Sequence, residues 1–198
     1  EPVDTDLENF KSSCDIFYLK KTLQRVEKLQ ESINIRDKNE VINNRDCKKV
    51  SSIIEELSKS NLLSNGIPCN FHGDCVPDNI IDEGDKFTII DWRQNFGNSL
   101  TGDVYYDLAK LMHGLIISHD IINDDLYSFD RSMNEIKYDF LRKNINIDCE
   151  DIFVEYINEW GYDVKKVKVM TSLIFLNIAM FHHYPYCHLL FYLGKNLL

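Results

Sequence analysis

The most informative part of the sequence is a short polar segment followed by an apolar run that ends in an aspartate. The segment reads His72-Gly73-Asp74-Cys75-Val76-Pro77-Asp78-Asn79, and the run reads Ile89-Ile90-Asp91-Trp92. Residues 80–81 and 87–90 are apolar and are separated by Glu83-Gly84-Asp85, which is typical of a β-hairpin. Because the two strands of a hairpin pair, this arrangement would bring Asp91 back beside Asn79.

Asp74, Asn79 and Asp91 supply the chemical groups that phosphoryl transfer from a nucleotide requires. One carboxylate must orient the attacking hydroxyl and accept its proton, while an amide oxygen and a second carboxylate hold magnesium against the phosphates. Oxygen ligands of this kind suit a hard cation such as Mg²⁺. The alternative is that all three are turn residues beside a hairpin, where Asp and Asn are common. As a loop residue, Asp74 is expected to face solvent and to have no buried partner.

A third motif follows in the sequence, Gly102-Asp103-Val104-Tyr105-Tyr106-Asp107-Leu108-Ala109. With these three motifs in this order, the chain resembles the aminoglycoside phosphotransferase/choline kinase-like family, which is related to the protein kinases. Protein kinases use a comparable His-Arg-Asp loop and an Asp-Phe-Gly segment. Gly73 and Trp92 place this sequence on the small-molecule side of that relationship.

The resemblance implies a role for each matching residue. Asp74 would be the catalytic base, and Asn79 and Asp91 would be the magnesium ligands. The supporting residues would be His72, Asp103 and Asp107. It also implies ATP, or another nucleoside triphosphate, as the phosphoryl donor and a hydroxyl of a small molecule as the acceptor.

A looser resemblance concerns the acceptor. The Asp-Trp-Arg of residues 91–93, the run 107–111 with His113, and the region of His183 and Pro185 are similar to phosphotransferase-like proteins of surface-polysaccharide biosynthesis. This similarity rests on single residues, and His113 is equally explained as a packed helix-face histidine. It favours a sugar as the acceptor, whereas the net charge of −10 favours a cationic acceptor such as an amino-alcohol.

Apolar periodicity predicts an α+β fold that is mostly helical. Apolar residues recur at three- and four-residue spacing over residues 7–29, with a break near Leu19, and again over 50–57, with a stop at Asn65-Gly66. The polar stretch 34–46 between them is predicted to be a loop, so residues 1–65 are interpreted as a helical segment. Residues 66–198 are predicted to hold the catalytic-loop hairpins and a C-terminal helical subdomain, with helices near 104–115, 153–160, 164–181 and after Pro185, and a possible hairpin over 127–140.

By resemblance, this architecture is the C-terminal lobe of a protein-kinase-like fold. A complete kinase also has a glycine-rich loop over the phosphates and a strand lysine that pairs with them. Neither pattern occurs in residues 1–65, and the first glycine is Gly66. We therefore expect the N-terminal nucleotide-clamping lobe to be absent from this chain. Because the chain starts at Glu1 rather than at a methionine, we also expect it to be a fragment or a trimmed form.

The composition and the charge argue against several classes of protein. The acidic net charge argues against nucleic acid as a partner, because a phosphate backbone needs a basic footprint. The six cysteines form no Cys-x-x-Cys pair, and the start of the chain does not resemble a signal peptide, so we expect free thiols in a cytoplasmic protein. The apolar stretch 169–181 is too short to span a membrane. No familiar zinc site has the spacing of His182, His183, Cys187 and His188.

Two alternatives to a catalytic lobe remain. One is a kinase-like binding or regulatory module that has lost catalysis, and the other is a purely structural helical domain. The presence of Asp74, Asn79 and Asp91 together argues against the binding module, because such a module has no need of metal ligands, and the three motifs in order argue against a structural domain. The pairs Lys20-Lys21 and Lys165-Lys166 are predicted to lie on exposed helix faces.

Overall fold

Eight α-helices and eight short β-strands make up the part of the chain that the structure describes. The structure is a computed structural model and describes residues 6–97, 99–133 and 135–198. In chain order the helices are α1 (Leu7–Asp15), α2 (Lys21–Ile33), α3 (Val50–Ser60), α4 (Val104–Ile116), α5 (His119–Asn123), α6 (Asn144–Glu159), α7 (Val164–Ile178) and α8 (Tyr186–Leu197). The strands are β1 (Glu40–Ile42), β2 (Arg45–Cys47), β3 (Pro68–Cys69), β4 (Ile80–Asp82), β5 (Phe87–Ile89), β6 (Gly102–Asp103), β7 (Tyr127–Arg131) and β8 (Glu135–Phe140). The predicted α+β class with a predominance of helix is confirmed.

The first two helices form one rod with a wider turn inside it. Helix α1 begins at Asp6, whose carboxylate accepts hydrogen bonds from the backbone N–H groups of Glu8 and Asn9. A π-helical turn, Ile16–Lys20, joins α1 to α2 and accounts for the break predicted near Leu19. Helix α2 ends at Asn34, which adopts the left-handed conformation with φ 51°.

The prediction of a loop over residues 34–46, and with it that of a wholly helical segment 1–65, is wrong. Strands β1 and β2 form a hairpin whose two turn residues, Asn43 and Asn44, have φ values of 46° and 63°. Turns of this kind require positive φ at both positions, which Asn tolerates. Strand β1 also pairs in parallel with β8, so that the predicted β7–β8 hairpin becomes half of a four-stranded sheet in the order β2-β1-β8-β7.

The hydrophobic core lies where α2, α4 and α8 pack against α7. Helix α8 also contacts β2, β7 and β8, so it is covered on almost every side and buries ten of its residues. Helix α3 ends at Ser60, which is five residues before the predicted stop at Asn65. The next residue, Asn61, has the left-handed conformation. In the described part of the chain, no helix combines the length and the apolar character that crossing a membrane requires.

Two short pairs of β-strands place the polar loops at the edge of this core. Strand β3 pairs with β6, which joins Cys69 to Gly102 just before α4. Strands β4 and β5 form the predicted hairpin, with Ile80 opposite Ile89. This hairpin stands outside the core, because Phe87 is 70% exposed and Trp92 is 58% exposed. The segment between β3 and β4 contains the candidate catalytic loop.

Candidate active site

The loop that carries Asp74 turns sharply at Gly73. This glycine has φ +81°, and a Cβ atom there would lie 2.6 Å from the ring of Phe71 and 2.7 Å from Cβ of Arg93. Only glycine satisfies both the conformation and the space. The loop then ends in a 3₁₀ turn, Pro77–Asn79, which leads directly into β4.

Asp107 and His72 fix this loop to its neighbours. The carboxylate of Asp107, on α4, accepts the backbone N–H groups of His72 at 2.7 Å and Gly73 at 2.6 Å. Burial raises the pKa of Asp107, while these two hydrogen bonds act to lower it. The buried ring of His72 donates from Nε2 to the carbonyl of Ile90 at 2.8 Å and accepts at Nδ1 from the backbone N–H of Asp74 at 3.2 Å. The two residues therefore connect α4, the loop and the hairpin.

The hairpin brings Asn79 and Asp91 together as the sequence predicts. The N–H of Ile90 donates to the carbonyl of Asn79 at 3.0 Å, so Asp91 follows directly beside it. Asn79 donates from its side-chain Nδ2 to the backbone carbonyl of Asp74 at 2.9 Å, which leaves its Oδ1 available. Asp91 is exposed and left-handed, with φ 62°, a conformation that Asp and Asn adopt more readily than other non-glycine residues.

The amide oxygen of Asn79 and the carboxylate of Asp91 are the kind of donor atoms that magnesium prefers. Magnesium is usually held by one or two protein oxygens, with phosphate and water completing its coordination. Among the described residues, no group of three or more His, Cys, Asp and Glu side chains is placed to hold a metal ion. A metal at this site would therefore take Oδ1 of Asn79 and the carboxylate of Asp91 from the protein and its other ligands from a bound phosphate and water.

Asp74 has a buried partner that the sequence prediction missed. Lys110, on α4, is only 7% exposed, and its Nζ lies 2.6 Å from Oδ1 of Asp74. The side chain of Asp74 is 32% exposed, so the expectation of a solvent-facing residue without a buried partner is wrong. Lys110 lies three residues after Asp107 and so shares its helix face. Because Asp107 faces the loop, this spacing was the signal that could have identified Lys110.

Asp103 holds the base of the site together. It is fully buried and accepts hydrogen bonds from Tyr18 Oη at 2.9 Å, from the N–H of Ile67 at 2.9 Å and from the N–H of Tyr105 at 3.2 Å. Nζ of Lys166 lies 3.9 Å away and donates to the carbonyl of Asn65 at 2.7 Å. Lys166 is 2% exposed, so its prediction as an exposed residue is wrong, whereas Lys165 is exposed.

Replacing Asp103 with Ala is expected to destabilise the protein by about 3–5 kcal/mol, the range for breaking a buried ion pair. The substitution leaves two backbone N–H groups and a tyrosine hydroxyl without their acceptor, and it removes the carboxylate that faces the buried ammonium of Lys166. Urea unfolding followed by circular dichroism measures the change. Asp163→Ala is the matched control, because Asp163 is an exposed cap of α7 whose loss costs about 1 kcal/mol. Equal effects of the two substitutions would contradict the role of Asp103.

Comparison with protein families gave a match. The model of a family described as "Phosphotransferase enzyme family" (APH) matches residues 20–126, which is more than half of the chain. The matched region includes the loop, the β4–β5 hairpin and helix α4, and thus Asp74, Asn79, Asp91 and Lys110. Neither the search of curated proteins nor the search of solved structures found a match.

Proposed function

This chain belongs to the phosphotransferase enzyme family, and we propose that it transfers the γ-phosphoryl group of ATP, or of another nucleoside triphosphate, to a hydroxyl of a small molecule. The observation that carries the proposal is that the β4–β5 hairpin returns the chain at Asp91 to the loop that carries Asp74 and Asn79. His72 joins the loop to the hairpin through Ile90, whose N–H in turn bonds to Asn79. One carboxylate beside a metal-binding pair is the arrangement that phosphoryl transfer uses.

In this proposal Asp74 orients the acceptor hydroxyl and accepts its proton. Because Oδ1 of Asp74 is engaged by Lys110, Oδ2 is the oxygen left to contact the acceptor. The hydrogen bond from Asn79 to the carbonyl of Asp74 keeps the base and the metal ligand in fixed relative positions. A magnesium ion held by Asn79 and Asp91 would neutralise charge on the nucleotide phosphates. Positioning by these residues supplies most of the catalysis, since the transition state is loose.

We also propose that the groups that clamp the nucleotide lie outside these 198 residues. The sequence has no glycine before Gly66, and hence no glycine-rich loop in its first third. The hairpin beside Asp91 presents apolar side chains to solvent, with Phe87 70% and Ile90 43% exposed. A second lobe, or the base of the nucleotide, would cover this surface. The fold would then be the C-terminal lobe of a protein-kinase-like enzyme.

A catalytically inactive binding or regulatory module is the second candidate function. The ion pair with Lys110 favours it, because an ammonium group occupies one oxygen of the proposed base. Asn79 and Asp91 favour the catalytic function, because a binding module has no use for a pair of metal-binding residues. Within the catalytic proposal, a sugar or an amino-alcohol is the acceptor class that the sequence suggests, and a role in surface-polysaccharide biosynthesis stays a prediction.

The transfer proposal is tested with the complete natural protein, ATP, Mg²⁺ and a panel of sugars, amino-alcohols and hydroxy acids. We expect release of ADP that requires both the metal and an acceptor, with a phosphorylated product detected by mass spectrometry. Nucleotide binding without transfer to any acceptor would favour the binding module. Calorimetric titration of residues 1–198 alone with ATP and Mg²⁺ is expected to show only weak binding. Submicromolar affinity would place the nucleotide clamp within this chain.

A further inference from the structure

Four cationic side chains line a small cavity beside Asp74. Lys21 and Arg25 come from α2, Arg93 follows β5, and Lys110 comes from α4. The cavity has a volume of about 30 Å³ and lies where α2, α4 and α7 meet. Lys21 and Arg93 also line a wider neighbouring cleft of about 340 Å³. The cleft falls within the range of small-molecule sites, roughly 300–1,000 Å³.

Three of these cations have no carboxylate partner. Lys110 is paired with Asp74, but in the described part of the chain Lys21, Arg25 and Arg93 form no ion pair. Like charges held close together in a partly buried place repel one another and lose hydration. The chain has 32 Asp and Glu residues, yet none of those described forms an ion pair with Lys21, Arg25 or Arg93. An unneutralised cluster of this kind is the expected environment of a bound anion.

The contacts of the cluster leave hydrogen-bond donors available. Nζ of Lys21 lies 3.7 Å from the centre of the Phe17 ring, and the guanidinium of Arg93 lies 5.9 Å from the centre of the Tyr106 ring. Burial, together with the positive charges of Arg25 and Arg93, lowers the pKa of Lys21 to about 7. Lys21 is only partly exposed, which corrects its prediction as an exposed helix-face residue, whereas Lys20 is exposed.

Arg25 is the innermost arginine of the cluster and is also incompletely paired. Its Nη1 donates to the backbone carbonyl and to Oδ1 of Asn177, both at 3.4 Å. A guanidinium has five N–H donors, so most of its capacity is unused by these two long bonds. Burial lowers the pKa of Arg25, and the positive charge of Arg93 lowers it further. A planar guanidinium is the group best suited to a two-oxygen contact with carboxylate or phosphate.

Lys110 of the cluster and the proposed metal ligand Asn79 contact different atoms of Asp74. Among the described residues, those that line the cavity and the cleft include neither Asn79 nor Asp91. Asp74 stands between the two groups, with its carboxylate bonded to Lys110 and its backbone carbonyl bonded to Asn79. A nucleotide held through Asn79 and Asp91 would therefore leave the cationic cluster to the acceptor.

We propose that Lys21, Arg25 and Arg93 bind an anionic group of the acceptor, a carboxylate or a phosphate, while Asp74 orients the acceptor's hydroxyl. This inference rests on the proposed phosphotransferase function and names its substrate class as a hydroxy acid or a phosphorylated polyol. This anionic substrate class differs from the cationic acceptor that the net charge of −10 favours. The charge next to the site selects the ligand, because charges on distant surfaces are screened within about 10 Å at ordinary salt.

The test is calorimetric titration of the complete natural protein with inorganic phosphate, and separately with acetate, at constant ionic strength. Mg²⁺ and a non-hydrolysable ATP analogue are present at saturation, so that the nucleotide site is filled. We expect wild-type protein to bind at least one of the two anions. Lys21→Gln and Arg93→Gln should each weaken that binding by about tenfold or more, as expected for a charge-assisted contact. Arg93 is exposed, so its variant is expected to fold normally.

Lys28→Gln is the matched control, because Lys28 is an exposed lysine on the same helix and its variant has the same charge change. We expect this variant to bind the anions as wild type does. Absence of anion binding, equal weakening by Lys28→Gln, or a loss of nucleotide affinity instead would overturn the anion site. The titration needs no turnover. Metal-dependent phosphoryl transfer with no anion binding would therefore reject this inference alone, whereas intact anion binding without transfer to any acceptor would reject the proposed function.

Discussion

Asp74→Asn is expected to lower kcat by at least ~10²-fold, the range typical of a general base. Asparagine keeps the size of the side chain but cannot accept the acceptor's proton. The affinity for nucleotide should change little, because the proposed metal ligands Asn79 and Asp91 are untouched. Steady-state kinetics on the complete natural protein measures the effect. An unchanged kcat would reject Asp74 as the base.

The same substitution is also expected to destabilise the fold, because it removes the partner of a buried ammonium. Breaking a fully buried ion pair costs about 3–5 kcal/mol, and we expect about 1–3 kcal/mol here because Asp74 is one-third exposed. Adding Lys110→Met removes the unpaired charge and should restore the melting temperature. It should not restore kcat. Recovery of both would show that Asp74 acts only as a structural partner of Lys110.

Asp91→Asn is expected to reduce phosphoryl transfer at ordinary Mg²⁺ by about 10³-fold, which corresponds to about 4 kcal/mol of transition-state stabilisation. Asparagine tolerates the left-handed backbone at this position, so the loss is not caused by strain. The carboxylate is exposed and accepts no hydrogen bond from the described residues. The melting temperature should therefore stay within about 1 °C of wild type.

The dependence of the rate on metal concentration separates Asp91 from Asp74. In Asp91→Asn the Mg²⁺ concentration needed for half-maximal rate should rise, whereas in Asp74→Asn it should stay as in wild type. Asp85→Asn is the control, because Asp85 is an exposed aspartate on the turn of the same hairpin. A wild-type rate and metal dependence in Asp91→Asn would remove Asp91 from the site.

The order of loop, hairpin and helix could be predicted because each depends on residues that are close in the sequence. The turn at 83–85 sets the pairing of β4 and β5, and that pairing alone brings Asp91 to Asn79. The break near Leu19 was likewise visible in the local spacing of apolar residues. Structure formed by residues that are close in the sequence can be predicted from the local pattern of apolar and turn residues.

The four-stranded sheet could not be predicted in the same way. Strands β1 and β2 are three residues long, too short for a pattern of alternation to be read. Strand β1 is completed by β8, which lies more than ninety residues further along the chain. Parallel pairing over such a distance depends on how the helices between the strands pack, which the residues of β1 do not specify.

The sequence by itself was enough to predict the chemistry proposed for the site, because phosphoryl transfer requires particular side chains at short spacings, and Asp74, Asn79 and Asp91 match that pattern. Only the tertiary structure decided which charges face the site. The adjacent lysines Lys20 and Lys21 look alike in the sequence, yet one is exposed and the other lies over an aromatic ring beside the cavity. The physical reason is that burial of a charged side chain is set by the distant elements that cover it, here α4, α7 and the segment after β5.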